Sequence, residues 1–113
     1  MTEQDPHGLS PATPGAKLDG GKSPIVSGLL QHFPLACAEV ARVTEFGARK
    51  YSWHGWSSVP NGIQRYTDAL GRHLAEIDGP VDADSHFLHA AQVAWNALAR
   101  LELMLRAEAD ASE

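Results

Sequence analysis

Ser85, His89, Gln92 and Asn96 recur at steps of four, three and four residues within DSHFLHAAQVAWN, residues 84–96. On an α-helix that spacing sets the four side chains in one line. Their neighbours Phe87, Leu88, Ala90, Ala91, Val93, Ala94 and Trp95 suit the inside of a helix bundle. The line is thus a polar stripe on an apolar rod, and burying it costs free energy unless each group finds a partner. Two further polar residues stand on apolar faces: Glu39 beside Ala36, Val40, Val43 and Phe46, and His73 flanked by Leu70, Leu74 and Ile77. A carboxylate in the position of Glu39 has to be paired, protonated or bound to a cation. An ion pair with Arg42, three residues on, satisfies it as well as a bound cation does. His73 alone reads first as a hydrogen-bonded core histidine and only second as a ligand. Together with Asp84, these residues point to one polar cavity assembled from facing helices, a common setting for metal and ligand sites.

Carboxylates are hard oxygen donors suited to Mg²⁺ or Mn²⁺, and magnesium is usually shared with a phosphate-bearing substrate. Lys17, Lys22, Lys50, Arg65 and Arg72 supply positive charge for such a substrate, although Arg72 also stands four residues from Asp68, where a surface ion pair is equally open. Trp53 and Trp56 offer faces for a nucleobase or for packing against the bundle. Other chemistries lack their residues. The single cysteine, Cys37, leaves no zinc-finger spacing and no intramolecular disulfide, and its place within a helix suits packing. GGK lacks the upstream glycine of a phosphate-binding Walker loop. Nothing beyond residue identity supports a nucleophilic role for Ser85.

The elements that must position these groups are helices. Residues 1–24 are rich in Gly, Pro, Ser and Thr and read as a flexible leader, with AKLDGGKSP, within residues 15–24, a candidate loop over an anion. A helical period begins at Ser27 or Pro34 and reaches Lys50; residues 51–62 read as a loop closed by Pro-Asn-Gly. A second helix is expected over 63–77, stopped by Asp78-Gly79-Pro80, and a third from Asp84 or Ser85 to Arg106. Residues 25–106 form the folded domain in this reading, and 107–113 an acidic tail. No stretch alternates as a strand does, so the expected class is all-α. The third helix is apolar around most of its circumference, more than two shorter helices cover, and a homo-oligomer, dimer or tetramer, is expected to complete the bundle.

With nine Lys plus Arg against fourteen Asp plus Glu, a net charge of −5 among 113 residues, the chain is a poor partner for nucleic acid or an anionic membrane. No run approaches the ~18 apolar residues of a membrane span, and no signal-peptide core is present. A soluble, cytoplasmic protein is the expectation.

The ordered set GAKLDGGK, Glu39 followed by VARVTEFGARKY, a tryptophan loop with VPNG, RYTDALGRHL, and finally Asp82 and Asp84 with Ser85, His89, Asn96 and ALARLEL resembles the phage-associated dATP/dGTP diphosphohydrolases. These are MazG-like, all-α nucleoside triphosphate pyrophosphohydrolases, and the resemblance covers residues 15–105. It implies hydrolysis of purine deoxynucleoside triphosphates to monophosphate and pyrophosphate, in the cytoplasm of a host cell where the enzyme is phage-encoded. It also implies roles: Glu39 as metal ligand, with Asp82, Asp84 and Asp68 as further ligands; His73 and His89 in catalysis beside Glu39; Lys17, Asp19, Lys22, Lys50, Tyr51, Trp56, Arg65, Arg72, Ser85 and Asn96 around the substrate. The chain departs from the family pattern at His86, where glycine is expected, at Gln92, where histidine is common, and at Arg42, where the broader group carries a second acidic residue. That last departure keeps two other readings open: a non-catalytic nucleotide-binding or sensing module, and a small phage interaction protein whose polar stripe only fixes helix register.

Overall fold

The computed structural model describes residues 3–112. It is all-α as expected: among those residues there is no strand, only an isolated bridge between Gln4 and Gly20. The chain divides after Pro34 into two compact units. In the first, the Asp5 carboxylate accepts the backbone N–H groups of His7 and Lys17, each at 2.7 Å, and Lys22 pairs with Glu3 at 2.9 Å. A single π-helical turn, Val26–Leu30, follows.

The second unit holds α1 (Pro34–Lys50), a 3₁₀ turn (Gly55–Ser58), α2 (Gly62–Ala75) and α3 (His89–Ala111). Pro34 occupies the first position of α1, where its missing N–H is no loss. Asn61 takes the left-handed conformation, φ 57°, that the Pro-Asn-Gly signal calls for. Gly62 then opens α2 where a Cβ would come within 3.0 Å of Leu103 Cδ1, so the bare glycine lets α2 approach α3. At the other end of α2 the Glu76 N–H closes onto the His73 carbonyl at 3.1 Å.

The start of α3 corrects the sequence reading. The helix begins at His89, so Asp84 and Ser85 lie in the preceding loop and the polar stripe is helical only from His89 onward. The loop folds on itself instead: Asp82 N–H donates to the Phe87 carbonyl and His86 N–H to the Asp82 carbonyl, both at 2.8 Å. The Asp82 carboxylate takes the Ser85 N–H at 2.9 Å and hydroxyl at 2.7 Å, a local alternative to helical bonding. His86, at φ 64°, then leaves the helical region altogether. At its far end α3 continues through residues 107–111, so this part of the expected acidic tail is helix.

α2 packs along α3, and α1 joins them through a few side chains. Trp95 Nε1 donates to Thr44 Oγ1 at 2.9 Å, Phe46 meets Phe87 edge-on, and Lys50 pairs with Asp84. Trp56, Tyr66 and Trp95 stack edge to face behind them, with Tyr66 hydroxyl donating to the Trp56 carbonyl. Val43, Ala91 and Ala99 are the only buried apolar side chains among those described.

Candidate active site

The second half of α1, the 51–59 loop, α2, the loop before α3 and the first turns of α3 line an open cavity of about 780 Å³. Ten of the residues singled out in the sequence line it: Lys50, Tyr51, Trp56, Arg65, Asp68, Arg72, His73, Asp82, Asp84 and Asn96. Gln92 and Trp53 join them, so the C-terminal part of the stripe does face a cavity.

Its charges are arranged in pairs. Lys50 Nζ donates to Asp84 Oδ2 at 2.7 Å, and that bond holds the Lys50 ammonium protonated beyond its ordinary range. The two Ser85 hydrogen bonds, side chain first, keep the Asp82 carboxyl below the usual carboxylate value, against a smaller opposing effect of burial. His73 Nδ1 meets His89 Nδ1 at 2.9 Å. Burial lowers the pKa of His73, partly offset by Asp82, so its imidazole is neutral at pH 7. Asn96, 3% exposed, donates from Nδ2 to the Gln92 carbonyl at 2.8 Å, while Gln92 Nε2 donates to Ser85 Oγ at 3.1 Å. Asp68 accepts from Gln64 Nε2 at 3.1 Å, and Arg65 donates to the Pro60 carbonyl at 3.4 Å.

Three expected residues of the second unit do not line the cavity. Glu39 pairs with Arg42 at 3.2 Å, the bland option of the sequence, and does not line the cavity. Ser85 acts through Asp82 rather than facing the cavity, and His89, 6% exposed, lies behind His73. Lys17, Asp19 and Lys22 belong to the first unit: the backbone of Lys17 bonds Asp5, and the Asp19 carbonyl takes the Lys22 N–H in a turn.

Two contributors escaped the sequence reading. Thr44 anchors Trp95, which no local pattern could show before α1 and α3 stand side by side. Glu76 brings its carboxylate within 3.5 Å of His89 Nε2. Its signal was present, since it follows His73 by three residues and shares that face.

By fold and site this is an all-α protein with an aromatic-walled cavity edged by carboxylates, an imidazole and cations. The chain belongs to the family described as dATP/dGTP diphosphohydrolase, N-terminal, whose model matches residues 12–112. No curated protein and no solved structure matches it. Among the described residues no helix is long and apolar enough to cross a membrane.

Proposed function

We propose that this chain hydrolyses dATP and dGTP to the monophosphate and pyrophosphate, as a homo-oligomer in the cytoplasm, in control of a phage or prophage nucleotide pool. The observation that carries the reading is the cavity itself: Asp68, Asp82 and Asp84 line it together with Lys50, Arg65, Arg72 and three tryptophans, in a chain whose family name specifies these substrates. A triphosphate needs cations along its length and an aromatic face for its base, and the cavity offers both.

The chemistry of the donors suits an oxygen-seeking divalent ion, although the three carboxylates are not gathered within one coordination sphere. Asp82 is held ionised by Ser85, and Asp84 and Asp68 line the same cavity as further oxygen donors. When bound there, Mg²⁺ or Mn²⁺ supplies charge neutralisation at the phosphates and eases deprotonation of the attacking water. The chain's own residues do the rest. Water adds to the α-phosphorus, the bond from that phosphorus to the bridging oxygen breaks, and pyrophosphate leaves with the bonding pair. Arg65 and Arg72 stabilise charge on the departing group. His73, neutral at pH 7, accepts the proton of the attacking water. Lys50 is bound to Asp84 in the free protein, so an incoming phosphate that takes the ammonium releases the Asp84 carboxylate to serve as a donor. Asn96 and the tryptophans hold the nucleoside.

The test is a panel of canonical dNTPs and NTPs with Mg²⁺ or Mn²⁺, with products identified. Monophosphate and pyrophosphate from dATP and dGTP are expected. Asp82→Asn is expected to lower kcat by at least about 100-fold, the scale of losing a charge-stabilising group. Retention of Glu39 by Arg42 favours a second reading, a binding module without turnover. Tight metal-dependent dATP binding with no product would establish that reading and end the first.

A further inference from the structure

His73, Asp82 and His89 bring one ligand-capable atom each to within 4.8 Å of the other two, the one such three-residue group among the described residues. The two rings meet at the same atom type, Nδ1 to Nδ1, 2.9 Å apart. One must donate and the other accept. His89 Nε2 lies 3.5 Å from the Glu76 carboxylate, near enough for that carboxylate to accept from an Nε2 proton when the ring offers its Nδ1 lone pair to an ion. A carboxylate behind the outer nitrogen is the arrangement that orients a metal-ligating imidazole. Asp82 is preset in the same way: Ser85 occupies Oδ2 twice, and Oδ1 accepts no hydrogen bond from the described residues.

We infer that His73, His89 and Asp82 form a site for one six-coordinate divalent first-row transition ion, with its other positions open toward the cavity. Two donors at right angles around an ion with bonds of about 2.1 Å stand about 3 Å apart, which the two Nδ1 atoms match; a tetrahedral ion wants about 3.3 Å. Two imidazoles and one carboxylate select Mn²⁺, Fe²⁺ or Co²⁺ over Mg²⁺, which prefers an all-oxygen shell and sheds its water reluctantly. The ion lies off the line that the shared proton occupies, so both rings tilt for their lone pairs to converge; that proton moves to His73 Nε2, and a turn of the Asp82 carboxyl brings Oδ1 in. Asp82 and His73 are common to this set and to the proposed hydrolysis. With its Nδ1 lone pair on the ion, His73 positions the metal and no longer accepts the water's proton, so the inference deepens that reading by naming the ion class, and rests on it only for catalytic use.

The experiment needs no nucleotide. Untagged full-length protein, stripped with chelator, is titrated with Co²⁺ and followed by visible absorption and calorimetry. One ion per chain is expected, not displaced by a 100-fold excess of Mg²⁺ (the excess set at about two decades to exceed ordinary selectivity between ligand sets). His73→Asn and Asp82→Asn should each weaken binding at least about tenfold with helical circular dichroism retained, and Glu76→Gln about tenfold through His89. Pulsed EPR of Mn²⁺ on the unaltered protein should show imidazole nitrogen coupling, a readout that no folding defect can imitate. Absent nitrogen coupling, equal displacement by Mg²⁺, or Co²⁺ binding unchanged in folded His73→Asn would overturn the site and leave the rings as a proton-sharing pair. Turnover with Mg²⁺ alone alongside any of these results keeps the hydrolytic reading while removing this one. Co²⁺ binding without turnover does the reverse.

Discussion

At the scale of single residues, the loop before α3 depends on one hydroxyl. Ser85 Oγ donates to Asp82, accepts from Gln92 at 3.1 Å and from the Phe87 N–H at 3.2 Å. Ser85→Ala is expected to destabilise metal-free protein by about 1–3 kcal/mol at pH 7, the range for leaving buried partners unsatisfied. The pH dependence follows from the depressed Asp82 value. A carboxyl bound more weakly by protons when folded than when unfolded adds stability above its ordinary pKa of 3.8, and loses it as pH falls through the lower folded value. Denaturant melts from pH 7 to pH 3 should therefore show the gap between wild type and Ser85→Ala narrowing toward acid. A gap constant with pH would mean that Ser85 acts on packing and not on the charge of Asp82. One residue further on, His86 sits at φ 64°, a conformation that penalises any side chain with a Cβ. His86→Gly removes a penalty of about 1–2 kcal/mol but adds unfolded-chain entropy, and a net gain of about 0.5–1 kcal/mol is expected in the same melts. The departure from the family's glycine is thus a local strain, which the sequence displayed as an odd residue without showing its backbone angle.

At the scale of elements, the helices were legible where periodicity and punctuation agreed. Of the two expected starts of α1, Pro34 is the observed one and Ser27 is not; the Pro-Asn-Gly turn and Asp78-Gly79-Pro80 placed the limits of α2 within two residues of those observed. The start of α3 was not legible, because Asp84 and Ser85 suit a helix cap as well as the self-bonded turn that Asp82 makes of them. The same ambiguity blurred the site: the family resemblance implies Ser85 at the substrate, whereas it supports Asp82 from within a loop. His73 and His89, one on each of two helices, read separately as inward histidines, and their 2.9 Å contact exists only once α2 lies along α3. α1 was legible as a helix but not in its attachment, which runs through Trp95 and Thr44. Thr44→Val keeps the shape and removes the acceptor, leaving the half-buried indole N–H without its partner. A loss of about 1 kcal/mol is expected, with faster amide exchange in α1 than in α2 or α3. Uniform acceleration across all three helices would show instead that α1 unfolds only with the rest.

At the scale of the whole molecule, what stands out is how little the chain buries alone. Leu98, Leu101 and Leu105 form a line along α3 at helical spacing, and each remains half exposed. With Val40, Trp56 and Trp95 they edge a second cavity of about 400 Å³, beside the face of α1 that carries Val40 and Thr44. Three buried apolar side chains, Val43, Ala91 and Ala99, cannot offset the entropy of ordering helices of this length. At roughly 25 cal/mol per Å² of apolar surface, the leucine line has to be covered to make the fold stable, and a second copy presents a matching line of its own. The prediction is a homo-oligomer in which α3 of one chain meets α3 of another. Sedimentation of the wild type at tens of micromolar should give a dimer or tetramer, and dilution should lower the melting temperature, since folding and association are then linked. Leu101→Glu with Leu105→Glu puts like charges at the centre of the contact and is expected to yield monomers of reduced helicity. A wild-type chain that sediments as a monomer, with a melting temperature independent of concentration, would refute the assembly and require the leucine line to be covered within the chain itself.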